Sequence, residues 1–301
     1  MNSGTARWRA DLALTLVAVV WGSTFVMVKH ALHEISTMYF LALRFGLASL
    51  CMLVPFIPAF RKMPAVALWR GLRGGAGAGA FLYLGYILQT FGLKYTSAGN
   101  SGFLTGLNIV LVPVIGAAVF RRWPRTRELM GVGVATVGLA TLTIPSIDGD
   151  FSLRHFNRGD LLTVGCAIAF ACHLLVLGYY SQRERFEAVA VGQIVCAAVL
   201  SSLSLSIEAP RIAWSRPVVT ALLVTAVLGT AGAFGIQTWA QHFTTPTRTA
   251  LIFALEPVVA LGTAVLAGGE RLTAAAVMGG ALILAGIVTV EIKSSRGVLS
   301  D

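Results

Sequence analysis

LQTFGLKYTSAGNSGFLTGLNIV (88–110) and IQTWAQHFTTPTRTALIFALEPV (236–258) lie over one another without a gap when the chain is shifted by 148 residues. Gln89 then meets Gln237, Thr90 meets Thr238, Thr96 meets Thr244, Leu107 meets Leu255 and Val110 meets Val258. The register continues: Met130-Gly131 falls on Met278-Gly279, and Gly138 on Gly286. Earlier in each copy a shift of 149 pairs Asp11 with Asp160, Trp21 with Phe170 and Arg44 with Gln193. The pattern predicts two copies, 1–148 and 149–301.

The solvent of these copies follows from composition. Apolar residues make up 56% of the 301-residue chain and charged residues 12%, about half the usual share in a soluble domain. Mean hydropathy is +0.78. So few charges cannot cover a water-facing surface, so lipid must surround much of the chain. A hydrocarbon core ~30 Å thick needs roughly 20 apolar residues per helix. Runs of that kind fall near 11–29, 37–58, 71–93, 98–120, 128–144, 159–180, 187–206, 217–241, 246–267 and 272–292. They are too long and too continuous for barrel strands. The expected fold is an all-α integral membrane protein of ten transmembrane helices. Five spans per copy, an odd number, invert the second copy against the first, the arrangement of alternating-access carriers with a midplane site.

The first run follows Arg7 and Arg9. It is long for a signal-peptide core and lacks a small-x-small cleavage site, so it reads as a retained span. With ten spans, both termini share a side. Counted by loop, that side carries 15 Lys and Arg, Arg248 among them, and the other 7, with Arg44 inside a span. The positive-inside rule places both termini in the cytoplasm, here of a bacterial inner membrane. The net charge of +10 comes in short groups between apolar runs, without the aromatic interleaving of a nucleic-acid surface. Nucleic acid is therefore not an expected partner. Cys51, Cys166, Cys172 and Cys196 all lie in apolar runs with no CxxC pair and read as packing residues. No GxxxxGK[ST] loop, HExxH or DDxxD pattern occurs, which points away from an ATPase, a metal site, another cofactor site or an enzyme.

Four stretches carry a family likeness: VVWGSTFVMVKHAL in the first run, LRFGLASL in the second, LKYTSAGNSGFLTGLNIVLVPV around the fourth and ALEPVVALGTAVLAGGERLTAAAVMGGALILAGI across the last two. Together they resemble the EamA family of the drug/metabolite transporter superfamily. The resemblance implies a ten-helix secondary carrier, often an exporter of amino acids or related metabolites. The family's Trp-Gly falls on Trp21-Gly22, its second-span arginine on Arg44 and its Glu-Pro on Glu256-Pro257. RRWPRTRE in the first copy departs from the Gly-Glu step that GGERL carries in the second, so Glu270 has no acidic counterpart.

Polar residues inside the runs are the candidate site. Thr249, Glu256 and Thr263 are seven apart and would share a helix face, matched in the first copy by Ser101, Thr105 and Asn108, with Asn108 on Glu256 in the repeat. Pro257 frees the carbonyl of Phe253, and Pro113 that of Ile109, so both faces should meet protein or water. Glu256 is a candidate holder of a proton or of a cationic solute group, with a structural carboxylate as the alternative. Arg44, ~10 Å into its span at 1.5 Å per residue, is expected to snorkel to the outer interface, or else to meet a solute carboxylate. Gln89 shares a face with Tyr86 and Tyr83, and Gln237 with Gln241; amides and phenols suit a polar or zwitterionic solute. His173 reads as a hydrogen-bonded packing residue, with a proton relay as the alternative. Trp21 either walls the cavity or packs.

The glycine steps Gly71, Gly75, Gly79 and Gly102, Gly106 read as close-packing faces. The expected function is gradient-driven transport, chiefly export, of small polar metabolites such as amino acids, with a proton or another ion as a possible coupling partner. A carrier of lipophilic drugs, a passive scaffold and a channel are the alternatives. A monomer suffices for this scheme.

Overall fold

The computed structural model describes residues 3–92, 95–96, 98–121, 123–143, 157–266 and 272–291. Helices dominate. In chain order they are α1 (Ser3–Ala31), α2 (Thr37–Lys62), α3 (Ala65–Gly92), α4 (Ala98–Gly106), α5 (Asn108–Phe120), α6 (Thr126–Thr143), α7 (Arg158–Ser181), α8 (Phe186–Leu203), α9 (Arg216–Ala226), α10 (Ala233–Ala240), α11 (Pro246–Phe253), α12 (Leu255–Leu266) and α13 (Ala274–Glu291). A 3-10 turn extends α8, and a π-helical turn, Val227–Gly232, joins α9 to α10. The only extended pairing among the described residues is a bridge between Ile35 and Ile212. Each predicted apolar run falls on one helix or on consecutive helices. Five helical stretches, Thr37–Lys62, Ser101–Phe120, Arg158–Ser181, Phe186–Ile207 and Arg216–Ala240, are long and apolar enough to cross a membrane. The fold is all-α and membrane-embedded.

Local sequence explains the helix ends. Asn157 and Asp160 form a capping box at α7, each side chain accepting from the other's backbone N–H. Ser215 caps α9 and Thr245 caps α11, both followed by a proline in the first turn, where its missing N–H costs nothing. The α11–α12 break at Ala254 lies in the turn that Pro257 deprives of a hydrogen bond. Pro113, in contrast, sits inside α5, and the α4–α5 break comes earlier, at Leu107.

The helices run back and forth between two ends. The near end holds the start of α1 and the α2–α3, α5–α6, α7–α8 and α10–α11 connections. There Arg70 pairs with Glu184 at 2.7 Å, and the Gln182 side chain donates to the carbonyl of Gln241 at 3.3 Å. At the far end Thr96 donates to Asp160 at 2.5 Å, and Glu208 accepts from the Met38 N–H at 3.2 Å. Trp8, Trp69 and Trp123 are exposed at the near end, and Tyr95 and Trp214 at the far end, like the aromatic belts of membrane proteins.

Glycines set the closest contacts. Gly71, Gly75 and Gly79 let α3 lie against α8, where an added Cβ would come within 2.5 Å of Ala188 Cβ, 2.9 Å of the Gln193 nitrogen and 2.8 Å of Cys196 Cβ. This is the packing face expected from sequence. The second expected step fails in part, because nothing lies within 4 Å of a Cβ on Gly102. Between α6 and α13, Gly131 abuts the carbonyl of Gly286, and Gly279 abuts that of Gly138. The 148-residue shift exchanges one of these contacts for the other.

Candidate functional site

Trp21 and Gly22 of α1 organise the centre. A Cβ on Gly22 would lie 2.7 Å from the Glu256 carbonyl oxygen and 3.0 Å from the Ala260 nitrogen. Only glycine lets α1 come so near α12 and bring Trp21 beside the first turn carrying Glu256. The indole of Trp21 packs 4.9 Å from Phe253 and 5.3 Å from Phe234, ring centre to ring centre. Its N–H donates to the Gly229 carbonyl at 2.7 Å. Trp21 thus packs between α10 and α11 and ties α1 to the π-helical turn.

Arg44 does not snorkel outward. It is 7% exposed and turns into the bundle, because the π-helical turn after α9 offers it acceptors there. Its Nε donates to Thr230 Oγ1 at 2.7 Å, and its Nη2 donates to the Gly229 carbonyl and to Tyr86 OH, each at 3.3 Å. Its guanidinium also lies 5.3 Å from the Tyr86 ring centre. A π-turn widens the helix by one residue and leaves carbonyls without regular partners, which is why such turns recur at functional sites.

Towards the far end, Gln89 donates to Thr105 at 3.3 Å, and both are half-buried. Ser101 is buried one turn before Thr105, and Asn108, half-buried, opens α5. On the other side of Phe234 stands His173, its ring 5.8 Å from that phenyl. Its Nε2 lies 3.0 Å from Gln193 Oε1; Gln193 Nε2 donates to Thr238 Oγ1 at 2.7 Å, and Thr238 donates to the Phe234 carbonyl at 2.6 Å. An amide oxygen only accepts, so His173 Nε2 carries the proton. In this arrangement His173 is buried and bonded to Gln193 within the bundle. Gln237 is buried at 1% exposure below Phe234. Thr249 and Glu256 belong to separate helices, α11 and α12, so the expected continuous stripe is broken at Ala254. Glu270 lies outside the described residues.

Arg44, Trp21, Tyr86 and Glu256 therefore come together, with Gln89 towards the far end, His173 behind Phe234 and Gln237 towards the near end. Sequence reasoning missed Gly229 and Thr230, since nothing in LGTAG marks a π-turn. It also missed Phe234 as a site residue, although the shift places it on Tyr86. The contact Trp21–Phe234 at 5.3 Å has its repeat-exchanged partner in Phe170–Tyr86 at 5.6 Å. A further correction concerns Arg248, read as a loop charge. It lies inside α11 at 3% exposure and binds Asp11 through two bonds, Nε to Oδ1 at 2.9 Å and Nη2 to Oδ2 at 2.5 Å. The matched acids Asp11 and Asp160 were the available signal. No group of three or more His, Cys, Asp or Glu side chains clusters as a metal site would among the described residues.

Known proteins place this arrangement. The profile of the EamA-like transporter family matches twice, over residues 8–144 and 157–292. An "uncharacterized transporter" of Archaeoglobus fulgidus is 33% identical over 290 residues, covering 96% of this chain and 88% of the relative. A "probable amino-acid metabolite efflux pump" of Salmonella typhimurium is 29% identical, covering 90% of this chain and 91% of its own, and one of Escherichia coli with the same description is 26% identical over 90% and 91%. A protein of known crystal structure shares the fold with a TM-score of 0.77 at 19% identity, over 97% of this chain and 99% of the other. The twice-matched profile and the glycine-seated Trp21 beside Glu256 agree: the chain belongs to the EamA-like transporter family.

Proposed function

We propose that this protein is a secondary-active carrier that exports small polar metabolites of the amino-acid class by alternating access. The observation that carries this reading is that the buried Arg44 guanidinium and the Trp21 indole share the Gly229 carbonyl while Gly22, next to Trp21, abuts the backbone of Glu256, so a cation and a carboxylate-bearing turn meet at one centre. A zwitterion complements both. Its carboxylate would take hydrogen bonds from the Arg44 guanidinium, and its ammonium would sit at Glu256. The aromatic walls Trp21, Tyr86 and Phe234 would cover its side chain. The likeness to the probable amino-acid metabolite efflux pumps of Salmonella and Escherichia supports this solute class.

The exchanged contacts Gly131–Gly286 and Gly279–Gly138, and the doubled profile match, support two inverted five-helix repeats within a ten-helix carrier, divided near residue 148. The arginine bias supports cytoplasmic termini in a bacterial inner membrane. The bias keeps its sign when Arg248 is removed from the count. The short connections leave energy to ion gradients, with Glu256 as the proton carrier and a monomer as the working unit. A second reading, a carrier of lipophilic solutes, draws on the same aromatic walls, but it leaves Arg44 and Glu256 unused.

Counterflow of labelled amino acids in proteoliposomes tests the proposal. Trans-stimulation is expected. Flux without trans-stimulation would indicate a channel, and no flux of any solute a scaffold. Glu256→Gln should flatten the pH dependence of transport; an unchanged profile rejects proton coupling. Competition by an apolar cation but by no amino acid would favour the lipophilic reading.

A further inference from the structure

Among the described residues near the site, Gln237 is the most poorly satisfied side chain. Both its amide atoms, Nε2 and Oε1, are buried and have no hydrogen-bond partner. An unpaired amide sealed from water is costly, because each of its groups loses hydration and gains nothing in return. Its repeat counterpart, Gln89, is half-buried and bonded to Thr105. The difference follows from what closes over each. Below Phe234, the near half is packed shut by Leu14, Val17, Leu174, Ala250 and Phe253, all in one buried cluster. In the far half the equivalent of Ala250 is Gly102, which is exposed with open space around it. Further unpartnered polar atoms lead from Gln237 toward the near end: Gln241 Oε1, Thr244 Oγ1 and Ser181 Oγ.

We propose that Gln237 is the near-side solute-contacting residue, the counterpart of Gln89, held behind the closed half and brought onto the solute when that half opens. The proposal rests on the carrier reading above. With the near half open, Gln237 would stand as Gln89 stands here, half-exposed on the open side of the aromatic centre. Its amide could then donate to a solute carboxylate and accept from an ammonium, both of which it lacks in the closed arrangement. The Asp11–Arg248 pair, beside the same cluster, is what must part for this to happen.

Two measurements test it. In a protein with all four cysteines replaced by alanine, Gln237→Cys and Gln89→Cys are labelled with a membrane-permeant maleimide in proteoliposomes. Cys at 89 should react readily and Cys at 237 slowly. Introducing Asp11→Asn, which parts the near-end ion pair without relying on turnover by a variant altered at Gln237, should raise the rate at 237 about tenfold, as a residue passing from buried to open becomes reactive. An unchanged rate at 237 when Asp11→Asn is introduced overturns the proposal. So does an initial rate at 237 equal to that at 89. Separately, Gln237→Leu should raise the melting temperature of the detergent-solubilised protein while slowing counterflow at least about tenfold, with Gln237→Asn recovering part of the rate. A lowered melting temperature, or unchanged counterflow, would make the amide a structural one. If the unsubstituted protein shows no counterflow at all, the carrier reading falls, and it does so before any variant is compared.

Discussion

Gln89 and Gln237 are one residue in two copies of a pattern, yet they live in opposite surroundings. Gln89 is half-exposed and bonded, whereas Gln237 is sealed and unpartnered. The same contrast runs through the two halves. Gly102 is open where Ala250 is fully buried, and Thr105 holds an amide where Phe253 packs on Trp21. The charged groups differ as well. Asp11 holds Arg248 in a buried ion pair at the near end, whereas Asp160 caps its own helix and accepts from Thr96, with neutral Asn100 at the position equivalent to Arg248. Two halves built from one pattern thus hold different packing in one structure. The difference lies in side chains, in helix approach and in the π-helical turn Val227–Gly232, which interrupts the span of α9 and α10 where its counterpart α3 runs unbroken.

Several substitutions would break or sharpen this contrast. Arg44→Gln should have the largest effect. It removes the only cation among the central groups described and leaves the Gly229 carbonyl and Thr230 with weaker partners, so counterflow should fall about a hundredfold, in line with charge-assisted bonds of ~1.5–3 kcal/mol. Retained transport would move the solute site away from α2. Asp11→Asn comes next. It leaves the Arg248 charge buried without its bidentate partner, which costs about 3–5 kcal/mol. The melting temperature should drop, and the swap Asp11→Arg with Arg248→Asp should recover part of it. A swap no more stable than the single variant would deny a direct pair.

Gly22→Ala should follow. Its Cβ would press on backbone of α12, 2.7 Å from a carbonyl oxygen, so overpacking of about 1–3 kcal/mol is expected. Transport should fall together with thermal stability. The smallest effect belongs to Gly102→Ala. With open space at this position, alanine should leave transport unchanged and stabilise α4 by up to about 1 kcal/mol through helix propensity. A loss of transport there would mean that Gly102 closes against another helix during the cycle, which sharpens the contrast with Ala250.

Much of this was legible in the chain itself. Apolar runs and their turn residues anticipate the helices, because lipid forces every backbone group to bond within its own segment. The Gly71, Gly75, Gly79 step announces a close contact, and the 148-residue shift pairs Gln89 with Gln237 and Asn108 with Glu256. Arg44 shows where such reading stops. Its position near a helix end suggested the interface, and only the acceptors in the α9–α10 turn draw it inward. Arg248 looked like a loop cation for the same reason: sequence gives distance from a span end, not the identity of the neighbour. The stripe through Thr249 and Glu256 failed because helix spacing assumes an unbroken helix.

The amino-acid sequence by itself determined the solvent, the helical plan, the repeat and the set of polar residues inside the bundle, because hydropathy and periodicity are local quantities summed along the chain. Tertiary structure alone decided which of those polar residues meet, that Arg44 turns inward onto Gly229, Thr230 and Tyr86, and that one glutamine of a matched pair is bonded while the other is sealed. Those outcomes depend on contacts between residues some 200 positions apart, such as Arg44 with Thr230 and Asp11 with Arg248, and no local pattern encodes which partner arrives.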